Sequence, residues 1–132
     1  MTDDALSRIA RCSCGRLTVR CLGEPSRISL CHCHACQRRT GSAFGIAIFF
    51  ARARVAVDGV YSTFTREAES GFLVSSHFCG ACGSTVWWEP ARMPDWIGIA
   101  YGAFAGTELP PPDQQVHVKQ RLDWIRLDIP EK

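Results

Sequence analysis

The sequence has no excess of charge of either sign. Its net charge is +2, with 21% charged and 46% hydrophobic residues, so neither a disordered chain nor a strongly basic nucleic-acid surface is indicated. Long apolar runs are also missing. Ala43–Ala51 (AFGIAIFFA) is among the longest, far short of the roughly 20 residues that cross a bilayer, so no membrane partner is expected. No internal repeat is visible, and low complexity is confined to Pro110-Pro111-Pro112, read as a stiff polyproline connector. The opening residues MTDDALSRIARC place acids before the first arginine, with no apolar stretch before a cleavage site. That is not the pattern of a secretory signal, and a cytoplasmic protein is the expectation.

Helix signals are few. The clearest runs from Ala35 to Thr40, ended by Gly41 as a C-cap, and a frayed one could cover Asp3 to Ile9. Strand signals dominate: Arg16–Leu22, Ala43–Phe50, Val55–Val57, Val60–Thr65, Gly71–Phe78, Thr85–Trp88, Trp96–Tyr101, Val116–Lys119 and Trp124–Leu127 are rich in β-branched and aromatic residues and separated by turn formers. Asp58-Gly59 reads as a two-residue hairpin turn between Val55–Val57 and Val60-Tyr61. The 132 residues suit one mainly β domain, expected over 11–132 after a short lead at 1–10. Trp87, Trp88, Trp96 and Trp124 read as core. Phe44 reads as a pocket wall, and His77 as a strand residue with a hydrogen-bond partner. His117 and Lys119 are expected on one strand face, and Glu67 and Glu69 in an exposed loop.

What the chain has in abundance is cysteine, eight residues in all. In a reducing compartment such density points to metal ligands or reactive thiols rather than disulfides. Seven of them fall in tight groups: Cys12/Cys14, Cys31/Cys33/Cys36 and Cys79/Cys82. Closed structural zinc sites usually take four ligands, often as two short pairs, whereas catalytic sites take three and keep a position open. Cys79-Gly80-Ala81-Cys82-Gly83 has the form of a zinc knuckle and needs a second pair, and Cys12-Ser13-Cys14-Gly15 supplies one. Cys12, Cys14, Cys79 and Cys82 are thereby assigned to one closed site.

Cys31, Cys33 and Cys36 remain as a three-sulfur site. If Leu30 to Cys33 is extended, Cys31 and Cys33 share a face and His32 points away. Cys36 would then sit near the start of the helix, where the dipole favours a thiolate. The fourth position could be taken by His34, Cys21, water or a substrate. An open position is preferred, with Cys21 read as a buried thiol in a strand. Arg38 and Arg39 could stabilise thiolates there or hold the carboxylates of an anionic substrate.

These motifs, in this order, resemble one family. They are Cys12-Ser13-Cys14-Gly15, Cys31-His32-Cys33-His34-Ala35-Cys36 with Gln37-Arg38-Arg39-Thr40-Gly41-Ser42-Ala43-Phe44, Phe78-Cys79-Gly80-Ala81-Cys82-Gly83, and Val116-His117-Val118-Lys119 with Trp124 and Pro130. The chain is similar to the glutathione-dependent formaldehyde-activating enzymes, a family that also contains centromere protein V. The resemblance implies a mainly β fold, a zinc-bearing β-tent of antiparallel sheets similar in architecture to methionine sulfoxide reductase B. It implies two zinc ions, structural at Cys12, Cys14, Cys79 and Cys82 and catalytic at Cys31, Cys33 and Cys36. The activity implied is that of a carbon-sulfur lyase, with glutathione or a similar small thiol and formaldehyde or a similar small aldehyde as partners. Two other classes remain open from the residues: a non-enzymatic zinc scaffold with both sites structural, and a redox protein cycling disulfides at the triad.

Overall fold

Two β-sheets of unequal size face each other in the computed structural model, which describes residues 6–132. In chain order the elements are β1 (Ser7–Arg11), β2 (Thr18–Leu22), β3 (Arg27–Cys31), helix α1 (His34–Thr40), β4 (Gly45–Ala51), β5 (Val55–Asp58), β6 (Ser62–Glu67), β7 (Leu73–Phe78), β8 (Thr85–Pro90), β9 (Trp96–Ala100) and β10 (Gln114–Val116). The smaller sheet has the order β1-β2-β5, and the larger β10-β3-β4-β9-β8-β7-β6. No helix among the described residues is long and apolar enough to cross a membrane.

Side chains alternate along a strand, so the pairing register sorts the large sheet into two faces. Ile28, Ile48, Phe50, Ile97 and Ile99 point to the small sheet and join Ala10, Val19 and Cys21 in one buried cluster. The other face carries Cys31 opposite Gly45, then Phe49 opposite Gly98, Gly98 opposite Trp88, Trp88 opposite Ser76, and Ser76 opposite Phe64. One face therefore makes the core, and the other is a platform that begins at the cysteine triad.

Several expectations change. The sheets are mixed rather than wholly antiparallel, because β10 runs parallel to β3. Its parallel course follows a long return segment, in which Tyr101 Oη donates to the carbonyl of Pro110 at 2.8 Å. The helix expected over Asp3–Ile9 is a strand from Ser7 onward, paired with β2, and its earlier residues lie outside those described. Ladder pairing and burial of Ala10 override a weak local propensity. Arg27–Cys31 is a full strand, of which only the end was expected to be extended.

The hairpin at Asp58-Gly59 does not form. β5 pairs with β2, and β6 begins the far edge of the other sheet. Gly59 has φ +111°, and a Cβ there would collide with the carbonyl oxygen of Arg16. The turn is thus a transfer between sheets, which a side chain at Gly59 would obstruct. Near the C-terminus, the strand expected over Val116–Lys119 stops at Val116. His117 is left-handed at φ 53° and Val118–Gln120 form a 3-10 turn, so His117 and Lys119 do not share a strand face. Trp124–Leu127 is not a strand either. Trp124 is 73% exposed and Ile125 is buried in its place, whereas Trp87 and Trp88 are buried as expected.

Candidate metal centres

The first cysteine pair closes β1 and the second closes β7. After β1, the turn at Cys12 is tied by Gly15 N donating to Cys12 O (3.1 Å); after β7, Gly83 N donates to Cys79 O (2.7 Å). Ser13 N and Ser84 Oγ, 3.2 Å apart, join the two turns. The result is that Cys12, Cys14, Cys79 and Cys82 have sulfurs within 4.8 Å of one another. Cys14 Sγ is 3.7 Å from Cys12 Sγ and 3.6 Å from Cys79 Sγ. Cys12 and Cys79 are buried, and Leu17 N donates to Cys12 Sγ at 3.3 Å.

The second cluster is built at a strand end and a helix start. Cys31 ends β3, and Cys33 is the N-cap of α1, its sulfur accepting from Cys36 N at 3.4 Å. Cys33 N in turn donates to Cys31 Sγ at 3.5 Å. The three sulfurs lie within 4.8 Å of one another. α1 starts at His34 and ends at Gly41, whose N–H donates to Gln37 O at φ +66°, so the expected C-cap is present. Charge settles on Cys33 rather than on Cys36. Contacts from the Cys31 and Cys36 sulfurs, the Cys36 N–H and the His117 side chain hold the Cys33 thiol far below its ordinary range against the opposing effect of burial. Contacts with Cys33 and Cys36, together with burial, push the Cys31 thiol up. The expected place of the thiolate is corrected accordingly: the capping sulfur receives the helix N–H, and Cys36 supplies it.

Both donor sets fit a thiophilic cation. All seven sulfurs are free thiols, gathered to ligand spacing and already approached by backbone N–H groups. Sulfur-rich sets of this kind select zinc or another soft ion. The remaining candidates lie elsewhere. His34 is exposed, its backbone N–H bonded to Gln120 Oε1, and it does not join the sulfur triad. Cys21 is fully buried in β2, where desolvation raises its thiol to about 12 against the nearby charge of Arg8.

Four residues missed in the sequence support the triad. His32 is fully buried, with Nε2 2.7 Å from Gln115 Oε1. His117, Arg39 and Arg66 line, together with Cys31, Cys36 and Trp88, a cavity of about 180 Å³. The guanidinium of Arg39 sits 4.1 Å from the Trp88 ring centroid, a cation-π contact. Gly45 makes room for it, since a Cβ there would lie 2.5 Å from Arg39 Nη2. The left-handed backbone of His117 was the one local signal that no pattern in the sequence carries. Phe44 lines a separate groove of about 710 Å³ that extends toward Cys12. His77 has its expected partners, with Thr63 Oγ1 2.8 Å from Nδ1 and Glu89 Oε1 2.7 Å from Nε2.

The fold and the two sulfur clusters define a small, mainly β protein with two sites able to hold metal ions. Residues 7–120 match the profile of the glutathione-dependent formaldehyde-activating enzymes, and the chain belongs to that family. A crystal structure of a Rhodobacter sphaeroides protein has a similar fold, with a TM-score of 0.60 and 19% identity, covering 76% of this chain and 90% of that one. No curated protein matches the chain.

Proposed function

We propose that the protein is a zinc-dependent carbon-sulfur lyase-type enzyme that joins a small thiol, such as glutathione, to a small aldehyde, such as formaldehyde. The observation that carries this reading is the triad of Cys31, Cys33 and Cys36, gathered to metal-ligand spacing beside a cavity that two of them line. Three sulfurs leave a tetrahedral ion one position for a reactant. Zinc held there would act as a Lewis acid on an aldehyde oxygen or keep an incoming thiol deprotonated. In the overall reaction a bond forms between the thiol sulfur and the aldehyde carbon, and the thiol proton passes to the aldehyde oxygen. Cys12, Cys14, Cys79 and Cys82 hold a second, structural zinc in this proposal.

The chain's own contribution is positioning and electrostatics. Arg39 and Arg66 place positive charge at the cavity wall, where an anionic reactant or a developing alkoxide is stabilised. Trp88 and Phe49 keep part of that wall apolar. We further infer that the two sheets form a β-tent related in architecture to methionine sulfoxide reductase B, as one domain over residues 11–132. Free thiols in this number suit the reducing cytoplasm.

The test is the rate of adduct exchange between glutathione and formaldehyde, followed by NMR with zinc-loaded protein. Acceleration over buffer that disappears in Cys33→Ser supports the proposal, and a rate unaffected by Cys33→Ser sinks it. One observation favours a second reading, a non-enzymatic binding module: Val60, Phe72 and Leu73 are exposed at 89%, 48% and 52%, and such surface can mark an interface. A zinc-loaded protein that leaves the exchange rate at its buffer value supports that alternative.

A further inference from the structure

Two cavities meet on the platform face of the large sheet. The smaller, about 180 Å³, reaches Cys31 and Cys36, and the larger, about 500 Å³, runs over Phe64 and Phe78. Arg39, Arg66 and Ser76 line both, so they form the boundary between the triad and an outer groove. The register explains the arrangement. Phe64 and Arg66 are alternate residues of β6, hence on one face, and Phe64 lies opposite Ser76, which lies opposite Trp88. Arg38 and Arg39 reach the same groove from α1.

The charge of this groove is unusual for a folded surface. The ion pairs of the described residues employ Arg8, Arg52, Arg121 and His77, and Arg38, Arg39 and Arg66 have no carboxylate partner among those residues. Three guanidinium groups beside one groove repel each other, a cost that a bound anion reverses. A small aldehyde carries no anion and fills little of a 500 Å³ space, which lies in the range of small-molecule sites. The groove therefore fits the body of the thiol.

We propose that this groove recognises a carboxylate-bearing thiol, with Arg66 and Arg38 as specificity-determining residues that bind its carboxylates and Arg39, held on Trp88, at the passage to the triad. The inference rests on the function proposed above and assigns the thiol arm of that site. Guanidinium groups pair with carboxylates in a planar, two-bond geometry that lysine does not reproduce.

The test is titration calorimetry of the full zinc-loaded chain with S-methylglutathione, a thioether dicarboxylate that forms no aldehyde adduct, and with its diethyl ester. The acid is expected to bind at least about tenfold tighter than the ester, the scale of charge-assisted hydrogen bonds. Arg66→Ala should weaken the acid by roughly tenfold and leave the ester unchanged, with Arg66→Lys recovering part of the loss. Arg38→Ala, on the helix, repeats the measurement should β6 be disturbed. Equal affinity for acid and ester, or acid binding untouched by both substitutions, overturns the proposal. Acid-selective binding without adduct chemistry keeps the groove and removes the reaction, whereas equal turnover of acidic and esterified thiols keeps the reaction and removes the groove.

Discussion

His32 Nε2 lies 2.7 Å from Gln115 Oε1, and both side chains are fully buried. Gln115 Nε2 donates to the carbonyl of Ile129 at 2.7 Å, so Gln115 Oε1 must accept and His32 Nε2 must donate. This chain of bonds ties the residue between Cys31 and Cys33 to β10 and to the C-terminal segment. Gln115→Leu strips both bonds and leaves a buried imidazole N–H and a buried carbonyl unpaired, at a cost of about 2–3 kcal/mol. Urea unfolding of the substituted protein measures it, and a change below about 0.5 kcal/mol would refute the assigned role.

The two sulfur clusters should differ in what their loss does to the fold. The first joins the turns after β1 and β7, with residues 15 to 78 between its inner members, while the second lies within residues 31 to 36. A cross-link that closes a long loop removes more freedom from the unfolded chain than one that closes a short loop. Cys79→Ser is expected to lose one equivalent of zinc and to lower the unfolding temperature clearly. Cys33→Ser should lose the other equivalent with a smaller shift. Metal analysis paired with thermal melting reads both, and equal shifts would contradict the division of roles.

At Gly45, a Cβ would lie 2.5 Å from Arg39 Nη2 and 3.3 Å from Cys36 Cβ. Gly45→Ala must push Arg39 off Trp88 or move α1, an overpacking cost of about 1–3 kcal/mol. Adduct turnover should fall with it, because Arg39 borders the triad. Unchanged stability and turnover in this variant would show that the close approach of Arg39 is dispensable.

The Glu89 carboxylate accepts from Arg52 at 2.8 Å and faces His77 at 2.7 Å. Burial alone would raise its pKa, but the Arg52 and His77 contacts outweigh it and hold the group below 4.5. A depressed carboxylate contributes stability above its unfolded value, and the contribution fades as pH falls from about 4.5 through the folded pKa. Glu89→Gln is therefore expected to cost about 1 kcal/mol at pH 7, a modest figure because the carboxylate is partly open to solvent. The difference from the unsubstituted protein should shrink toward zero as the pH drops below 4. Parallel urea titrations at both pH values provide the comparison, and a constant difference would exclude the ion pair as its source.

How far the chain could be read in advance depended on whether a pattern was local. The strand character of Gly45–Ala51, Leu73–Phe78, Thr85–Pro90 and Trp96–Ala100 follows from β-branched and aromatic runs between turn formers, and it is present. The helix after Cys33 and its cap at Gly41 were legible for the same reason. Ser7–Arg11 was misread because nothing in five residues announces a ladder with Thr18–Leu22. Asp58-Gly59 has the chemistry of a hairpin, yet the strands on either side pair with different sheets. Trp124 was assigned to the core on its apolar character and lies exposed.

The site divides along the same line. By itself the sequence determined the ligand inventory, two cysteine pairs and a triad, because the relevant spacing is covalent and survives any fold. It also determined the family, through motifs in a specific order. Only the tertiary structure decided what surrounds the triad: Gln115 on His32, Trp88 under Arg39, the left-handed His117, and Arg66 arriving from the far edge of the sheet. These neighbours come from strands distant in the chain. Their meeting depends on register and on which face each side chain takes, and both are properties of the assembled sheet rather than of any segment.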